Sequence, residues 1–310
     1  MRLEKATMVN IFTPSKLLGL LFCAAFLWQG CNIINPHEPI PTYIHIDSFS
    51  FQQSPGLTVL RYDNSPSGQL PTLSHEINTV WVYYNGSRVG IFDLPATFPV
   101  VASGSGQLQI VPAVAINGQN NNVAQYPFYS PDTSTLIAQP GKIINYTPKT
   151  KFYRDVTVKL IDYFDESNNT PNFAQSGGNR SLRIMSDNAE SYDGSKFGQI
   201  DLLAVGDSSV DSSRNIFTIP SGVAFIEFTY KTTIPFYVGL QANLSSVISS
   251  APYYLSGISP TTSWKKFYLQ VDGFTANAQG DSYNFYIKAV LADAQSSGKL
   301  LIDNIQLVTF

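Results

Sequence analysis

The feature that most constrains this chain is a period-two alternation of apolar and polar residues that recurs along most of its length. In TVWVYYNGSRVGIF, residues 79–92, Val80 and Val82 lie on one side of a strand and the intervening residues on the other. Asn85-Gly86 tolerates positive φ at both positions and predicts a tight hairpin turn. Because no segment of this region has helical periodicity, the sequence predicts an all-β fold.

The second half of the chain contains further apolar runs at regular spacing. The segments predicted as strands are GQIDLLAV, AFIEFTYKT, FYVGLQANL, KKFYLQV, YNFYIKAVLA and KLLIDNIQLV. Their spacing and alternation indicate two packed antiparallel sheets. We therefore predict two tandem β-sandwich domains, residues 43–148 and residues 149–310.

The N-terminus carries an apolar run, residues 17–28, that ends shortly before Gly30-Cys31. The run is shorter than the ~20 residues that cross a bilayer, and basic residues precede it, as in an export signal. A small residue before a cysteine suits cleavage and acylation of the thiol, so Cys31 resembles the lipidated cysteine of bacterial lipoproteins. The alternative is an ordinary secretory signal. We predict a signal peptide at residues 1–30, removed on maturation, and lipidation of Cys31.

The cysteines and prolines that follow support this interpretation. Cys23 lies in the run that cleavage would remove, so Cys31 alone would remain and no internal disulfide is expected. Residues 31–42 contain three prolines, which favour an extended path, and we interpret them as a tether. Two acyl chains anchor a protein stably, so the mature protein is expected to be attached to a membrane without spanning it.

Several motifs resemble known families. The hairpin and the LPATFPV segment at 94–100 are similar to an immunoglobulin-like sandwich found in lipoproteins of the Bacteroidota. In the second region, residues 178–184, 263–267 and 301–305 resemble the jelly-roll sandwiches of carbohydrate-binding-module type. The resemblance implies an outer-membrane lipoprotein with an immunoglobulin-like sandwich followed by a jelly roll. It leaves open which face of the outer membrane the protein occupies.

Composition excludes several classes of function. The net charge is −3 and no basic run occurs, so a nucleic-acid partner is not expected. The three histidines, His37, His45 and His75, have no metal-ligand spacing, and the second region has no histidine for a serine triad. No pair of acidic residues stands out as a glycosidase pair. We predict a protein without catalytic activity.

One metal site is implied by the resemblance. Jelly rolls of this type often hold a structural calcium ion between the opening strand, the loop after it and the last strand. Asp162, Asp165 and Asp303 occupy comparable positions, and carboxylate oxygens suit such a hard cation. Apart from this calcium ion, which the resemblance alone implies, we expect no cofactor. The alternative is that Asp303 merely caps or pairs at a strand end.

Aromatic residues are abundant, with 17 tyrosines and 20 phenylalanines, whereas only 13% of residues are charged. The segments YPFY, 126–129, and APYYLSG, 251–257, place tyrosines in predicted loops, which do not easily bury several rings. Tyrosine beside asparagine and serine is common in binding surfaces. The alternative is that these rings close the ends of the sandwiches. The predicted binding residues are Tyr126, Tyr129, Tyr237, Tyr253 and Tyr254.

Two functions follow from these features. The one that the sequence favours is a lipid-anchored, non-catalytic subunit of an envelope protein complex, with an outer-membrane barrel or other lipoproteins as partners. The alternative is a glycan-binding surface lipoprotein that uses a tyrosine-lined face of the jelly roll. A protein partner copurified from membranes would support the first, and retardation by a polysaccharide would support the second.

Overall fold

The computed structural model describes residues 38–165, 170–245, 250–292 and 295–310. The predicted signal peptide, Cys31 and most of the tether lie outside these residues. Within them the chain consists of β-strands and one short helix, so the predicted all-β fold class is confirmed. None of the helices described is long and apolar enough to cross a membrane.

The first half of the chain forms a sandwich of two sheets. Strand order is β10-β1-β6 in one sheet and β5-β4-β7-β8 in the other, where β9 also pairs with β7. Inward residues such as Ile44, Phe98 and Val82 share one core, which confirms an N-terminal sandwich; its immunoglobulin-like subtype stays a prediction. The strands up to residue 150 are β1 (Thr42–Ile46), β2 (Ser50–Phe51), β3 (Thr58–Leu60), β4 (Thr79–Tyr84), β5 (Ser87–Asp93), β6 (Ala96–Val100), β7 (Ser105–Ala115), β8 (Val123–Gln125), β9 (Asp132–Ile137), β10 (Ile143–Asn145) and β11 (Lys149–Thr150).

The second half forms a larger sandwich, as predicted. One sheet has the order β13-β16-β21-β18-β19, and the other has the order β14-β15-β22-β12-β3, with β17 joining β22 to β20. A large apolar core lies between the two sheets. The elements are β12 (Thr157–Asp162), β13 (Phe173–Gly178), β14 (Arg183–Met185), β15 (Phe197–Leu202), β16 (Ser208–Ser213), β17 (Ala224–Thr232), β18 (Phe236–Asn243), β19 (Tyr253–Ile258), β20 (Thr261–Gln270), α1 (Asp272–Ala278), β21 (Ser282–Val290) and β22 (Gly298–Thr309).

Strands of the two predicted regions, residues 43–148 and 149–310, pair with each other. Strand β3, which comes from the first region, pairs in parallel with β12, with Thr58 opposite Thr157. Strand β2 pairs in parallel with β11. The first region therefore contributes the edge strand β3 to a sheet of the second region, although β3 precedes β12 by almost a hundred residues.

The seven-stranded sheet is covered on both faces. Along β17, Ile226 and Phe228 belong to the core of the second sandwich, whereas Phe225 belongs to the core of the first. Tyr268 on β20 also faces the first sandwich, and its ring lies 4.9 Å from that of Tyr126. Because alternate residues of the same strands complete different cores, the two sandwiches share one central sheet.

The layer between this sheet and the first sandwich contains a buried ion pair. The Lys266 ammonium lies 2.6 Å from the Glu227 carboxylate, and both side chains are almost completely buried. Gln306 and the Tyr126 hydroxyl also donate hydrogen bonds to this carboxylate, and Lys266 donates to the carbonyl of Ser74. Charges are buried only when they are paired and hydrogen-bonded, so each partner of this pair depends on the other.

Candidate functional site

The outer face of the five-stranded sheet β13-β16-β21-β18-β19 is the surface with the most suitable groups for a ligand. It lies on the opposite side of the second sandwich from the first. In β18, Phe236, Val238 and Leu240 point into the core, so the residues between them point outward. Strands β19 and β21 flank β18 and add their own outward residues to the same surface.

Two tyrosines lie side by side on this face. Tyr237 on β18 is 44% exposed and is opposite Gly257, and Tyr254 on β19 is opposite Gly239. The ring centroids of the two tyrosines are 6.3 Å apart, with an angle of 67° between their planes. Gly257 leaves room for the Tyr237 ring, which lies across it at contact distance. The pair forms an aromatic platform that is open to solvent.

A cation and a second hydroxyl adjoin the platform. The Lys288 ammonium lies 5.4 Å from the centroid of the Tyr254 ring, within the range of a cation–π contact. Tyr286 on β21 is opposite Gly239, and its hydroxyl donates a 2.6 Å hydrogen bond to Gln241. Burial raises the pKa of Tyr254, and the neighbouring Tyr286 raises it further. The Tyr254 hydroxyl therefore stays protonated at neutral pH and can donate a hydrogen bond.

The amide side chains on this face are held by hydrogen bonds. Gln241 donates to the carbonyl of Ser250, and Asn284, which lies opposite Gln241, donates to the carbonyl of Ser213. Asn243 donates to the side-chain oxygen of Asn284 at 2.8 Å. Such fixed amides, next to an aromatic platform, suit a ligand that has both an apolar face and hydroxyl groups.

Tyr253, predicted to act with Tyr237 and Tyr254, lies on the other side of the edge strand. Successive residues of a strand point to opposite faces, and Tyr253 directly precedes Tyr254 in β19. Its ring stacks on Phe274 of α1, with centroids 5.5 Å apart and planes only 15° apart. Tyr253 is 60% exposed and borders a groove that Leu255 also lines. The sequence therefore grouped residues that the fold separates.

The prediction that Tyr126 and Tyr129 are exposed binding residues is wrong. Both are about 1% exposed, although they lie in a connecting segment. Their rings pack edge-on against each other and against the second sandwich, where Tyr126 contacts Phe225 and Tyr268. Burial raises the pKa of both tyrosines well above the usual value, and the Glu227 carboxylate adds to this effect. They belong to the interface between the sandwiches.

The predicted calcium ligands, Asp162, Asp165 and Asp303, lie close enough to influence one another electrostatically, but they do not form a complete metal site by themselves. Asp303 is fully buried in β22, and its carboxylate accepts a 2.7 Å hydrogen bond from the backbone N–H of Asn304. Burial raises its pKa well above the usual value, and the nearby charges of Asp193, Asp165 and Asp162 raise it further. The repulsion from these carboxylates disfavours the ionised form of Asp303.

The same residues also support the loops around them. Asp162 accepts hydrogen bonds from the amides of Phe164 and Asn172, and Asp165 accepts one from the amide of Lys196. In the part of the chain that the structure describes, no three His, Cys, Asp or Glu side chains are arranged so that they could hold a metal ion. Backbone or hydroxyl oxygens would therefore have to complete a calcium site, and calcium stays a prediction.

No family model and no curated protein matches this chain. Among solved structures, a carbohydrate-binding module of the β-sandwich superfamily is similar over 88% of this chain and 99% of its own length, with 10% identity and a TM-score of 0.38. A family 11 carbohydrate-binding module of Clostridium thermocellum is similar over 48% of this chain and 93% of its own, with 17% identity and a TM-score of 0.35. A family 29 module of Piromyces equi is similar over 50% and 92%, with 9% identity and a TM-score of 0.34.

All three of these solved structures are carbohydrate-binding modules.

Proposed function

We propose that this protein is a non-catalytic glycan-binding protein and that its ligand lies on the outer face of the β13-β16-β21-β18-β19 sheet. The observation that carries the proposal is the pair of exposed Tyr237 and partly exposed Tyr254, with Lys288 and fixed amides beside it. The apolar face of a sugar ring stacks on an aromatic ring, and its hydroxyls exchange hydrogen bonds with amides. An open platform suits a chain of sugars better than a single small molecule.

We expect the double substitution of Tyr237→Ala with Tyr254→Ala to abolish polysaccharide binding. Hot-spot aromatic residues contribute about 2 kcal/mol or more each when truncated, which corresponds to a loss of roughly 30-fold or more in affinity per residue. Affinity electrophoresis through gels that contain individual neutral and acidic polysaccharides measures the loss. Tyr153→Ala is the matched control, because Tyr153 is a comparably exposed tyrosine elsewhere on the molecule. Equal retardation of the double variant and the wild type would refute the proposal.

The sequence favoured a different role, as a subunit of an envelope protein complex, and that role stays a second hypothesis. The observation that bears on it is Ile137, which is 66% exposed on β9, a strand paired on one side only. A sheet edge with an exposed apolar side chain can accept a partner strand. Copurification from detergent-solubilised membranes with a stoichiometric partner, reduced by Ile137→Lys, would support this role over glycan binding.

We also propose that Cys31 is acylated and attaches the mature protein to the outer membrane. This proposal rests on the sequence around Gly30-Cys31. Mass spectrometry of the purified protein tests it directly: a mature chain that begins at Cys31 and carries diacylglycerol is expected. An unmodified secreted chain would refute it.

Finally, we propose a structural calcium ion beside Asp303. Millimolar calcium, added after treatment with a chelator, is expected to raise the melting temperature of the wild type and leave that of Asp303→Asn unchanged. Asparagine keeps an acceptor for the amide of Asn304 and removes the charge that would bind the cation. Asp211→Asn is the matched control, since Asp211 is a buried carboxylate elsewhere in the same sandwich, and it should respond like the wild type. A melting temperature that ignores calcium, or that shifts equally in all three proteins, contradicts the proposal.

A further inference from the structure

A second unusual surface lies on the first sandwich, on the outer face of the sheet β10-β1-β6. Ile44 and Phe98 point inward into the core, so the residues beside them point outward. The pairing places Tyr43 between Ile143 of β10 and Pro99 of β6. This row of outward side chains contains no charged group, although it faces solvent.

The apolar surface continues past the ends of the strands. Val100 pairs with Thr42, so Val101, two residues after Pro99, extends the row beside Pro41. Ile40 adjoins the same end, because its side chain lies against Gly141, whose amide donates to the carbonyl of Pro41. Three of these aliphatic side chains are about two-thirds exposed: 63% for Ile40, 60% for Val101 and 64% for Ile143. The apolar strip consists of Ile40, Tyr43, Pro99, Val101 and Ile143.

Single exposed apolar residues need no explanation, but a contiguous strip without charges indicates a contact surface. Its position points to the occupant. Ile40 follows Cys31 by nine residues, and nine residues span at most about 30 Å even when fully extended. An acyl group on Cys31 would therefore keep the strip within that distance of a bilayer.

We propose that the apolar strip rests on the lipid bilayer in which the acyl chains of Cys31 are inserted. The proposal depends on acylation of Cys31 and is independent of glycan binding. Exposed aliphatic and aromatic side chains would enter the boundary between headgroups and acyl chains, a region about 5–10 Å deep. The tether would then act with the strip as two points of attachment, so the first sandwich would lie against the membrane in one orientation.

This orientation also concerns the tyrosine platform. The first sandwich packs on one face of the central sheet, and the β13-β16-β21-β18-β19 sheet packs on the other. Stacked sheets lie about 10 Å apart, so the platform is separated from the first sandwich by the thickness of the second. The tyrosine platform and the apolar strip therefore lie on different sandwiches.

Depth-dependent fluorescence quenching tests the proposal. The full chain is expressed with its own signal, purified in acylated form and reconstituted into vesicles of phosphatidylethanolamine and phosphatidylglycerol, with or without brominated lipids. The test variant is Ile143→Trp. Ile91→Trp is the matched control, because Ile91 is an exposed isoleucine on β5, in the other sheet of the same sandwich. Brominated lipid is expected to remove most of the added emission of Ile143→Trp and little of that of Ile91→Trp.

The remaining outcomes overturn the proposal. Equal quenching of both variants, or quenching of neither in protein whose acylation mass spectrometry has verified, shows that the strip does not touch lipid. A dimer in sedimentation experiments that Ile143→Asp dissociates identifies a second copy as the occupant. A mature chain without acyl groups removes the anchor on which the proposal depends. Polysaccharide retardation of the same preparations reports on the tyrosine platform separately, because none of these variants alters it.

Discussion

Replacing Glu227 with alanine is expected to destabilise the protein by about 3–5 kcal/mol, because breaking a buried pair leaves an uncompensated charge. The Lys266 ammonium would remain almost completely buried, with the carbonyl of Ser74 as its remaining hydrogen-bond partner among those described. The hydroxyl of Tyr126 and the amide of Gln306 would each lose an acceptor. Urea unfolding, followed by circular dichroism, measures the change in the free energy of unfolding.

The matched control removes both charges together. In Glu227→Gln with Lys266→Met, no unpaired charge is left, and glutamine still accepts a hydrogen bond from Tyr126. Replacing a buried pair with uncharged groups of similar volume is often neutral or stabilising, so the double variant should unfold at a clearly higher urea concentration than Glu227→Ala. If the double variant is as unstable as the single one, the pair itself holds the sandwiches together and the argument from the buried charge is wrong.

The second large effect is expected at Gly239, where alanine should both destabilise the protein and abolish polysaccharide binding. A Cβ at this position would lie 2.1 Å from the carbonyl oxygen of Tyr253, on the backbone of the neighbouring strand. A backbone atom cannot rotate away as a side chain can, so β19 would have to shift away from β18. Forced overpacking of this kind costs about 1–3 kcal/mol or more. The shift would also displace Tyr254, which is paired with Gly239, from Tyr237.

Gly273→Ala supplies the control for this substitution. Gly273 lies in α1, and a Cβ there would meet nothing within 4 Å. Alanine in a helix is favoured over glycine by about 1 kcal/mol, so this variant should keep its stability and its binding. Thermal unfolding and affinity electrophoresis provide the two measurements. A Gly239→Ala protein with normal binding would mean that the register of β19 does not position the platform.

Local features of the fold could be predicted because they depend on neighbouring residues. Asn85 and Gly86 both have positive φ in the structure, 48° and 78°, and join β4 to β5 as the sequence predicted. The alternation in FYVGL likewise indicates that Phe236 and Val238 lie on one face and Tyr237 on the other, and in the structure Phe236 and Val238 are buried. In these segments the chemistry that selects the conformation is present within a few residues.

The burial of Tyr126 and Tyr129 could not be predicted in this way. Their neighbours in the chain are those of a loop, and the aromatic residues that cover them, Phe225 and Tyr268, come about a hundred or more positions later. The separation of Tyr253 from Tyr254 failed for a different reason. The segment looked like a loop, in which adjacent side chains can share a surface, but it forms an edge strand, in which they cannot.

The pairing partner of β3 could not be predicted from the sequence either. A strand of three residues is too short to show a periodicity that would indicate its partner. Its pairing with β12 is decided by the open edge of a sheet formed much later in the chain. The burial of Glu227 could not be predicted either. A glutamate within AFIEFTYKT is typical of the solvent-facing side of a strand, and Glu227 is buried because the first sandwich covers that side of the sheet.

The sheet that serves two cores limits how this protein can be recombined. A domain that folds by itself can be transferred between proteins, because its outer surfaces are already exposed to solvent. Here, excising residues 149–310 would expose Phe225, Tyr268 and the Glu227–Lys266 pair to solvent and leave β12 without its parallel neighbour. The two sandwiches are therefore expected to be inherited, or transplanted by an engineer, only as one unit.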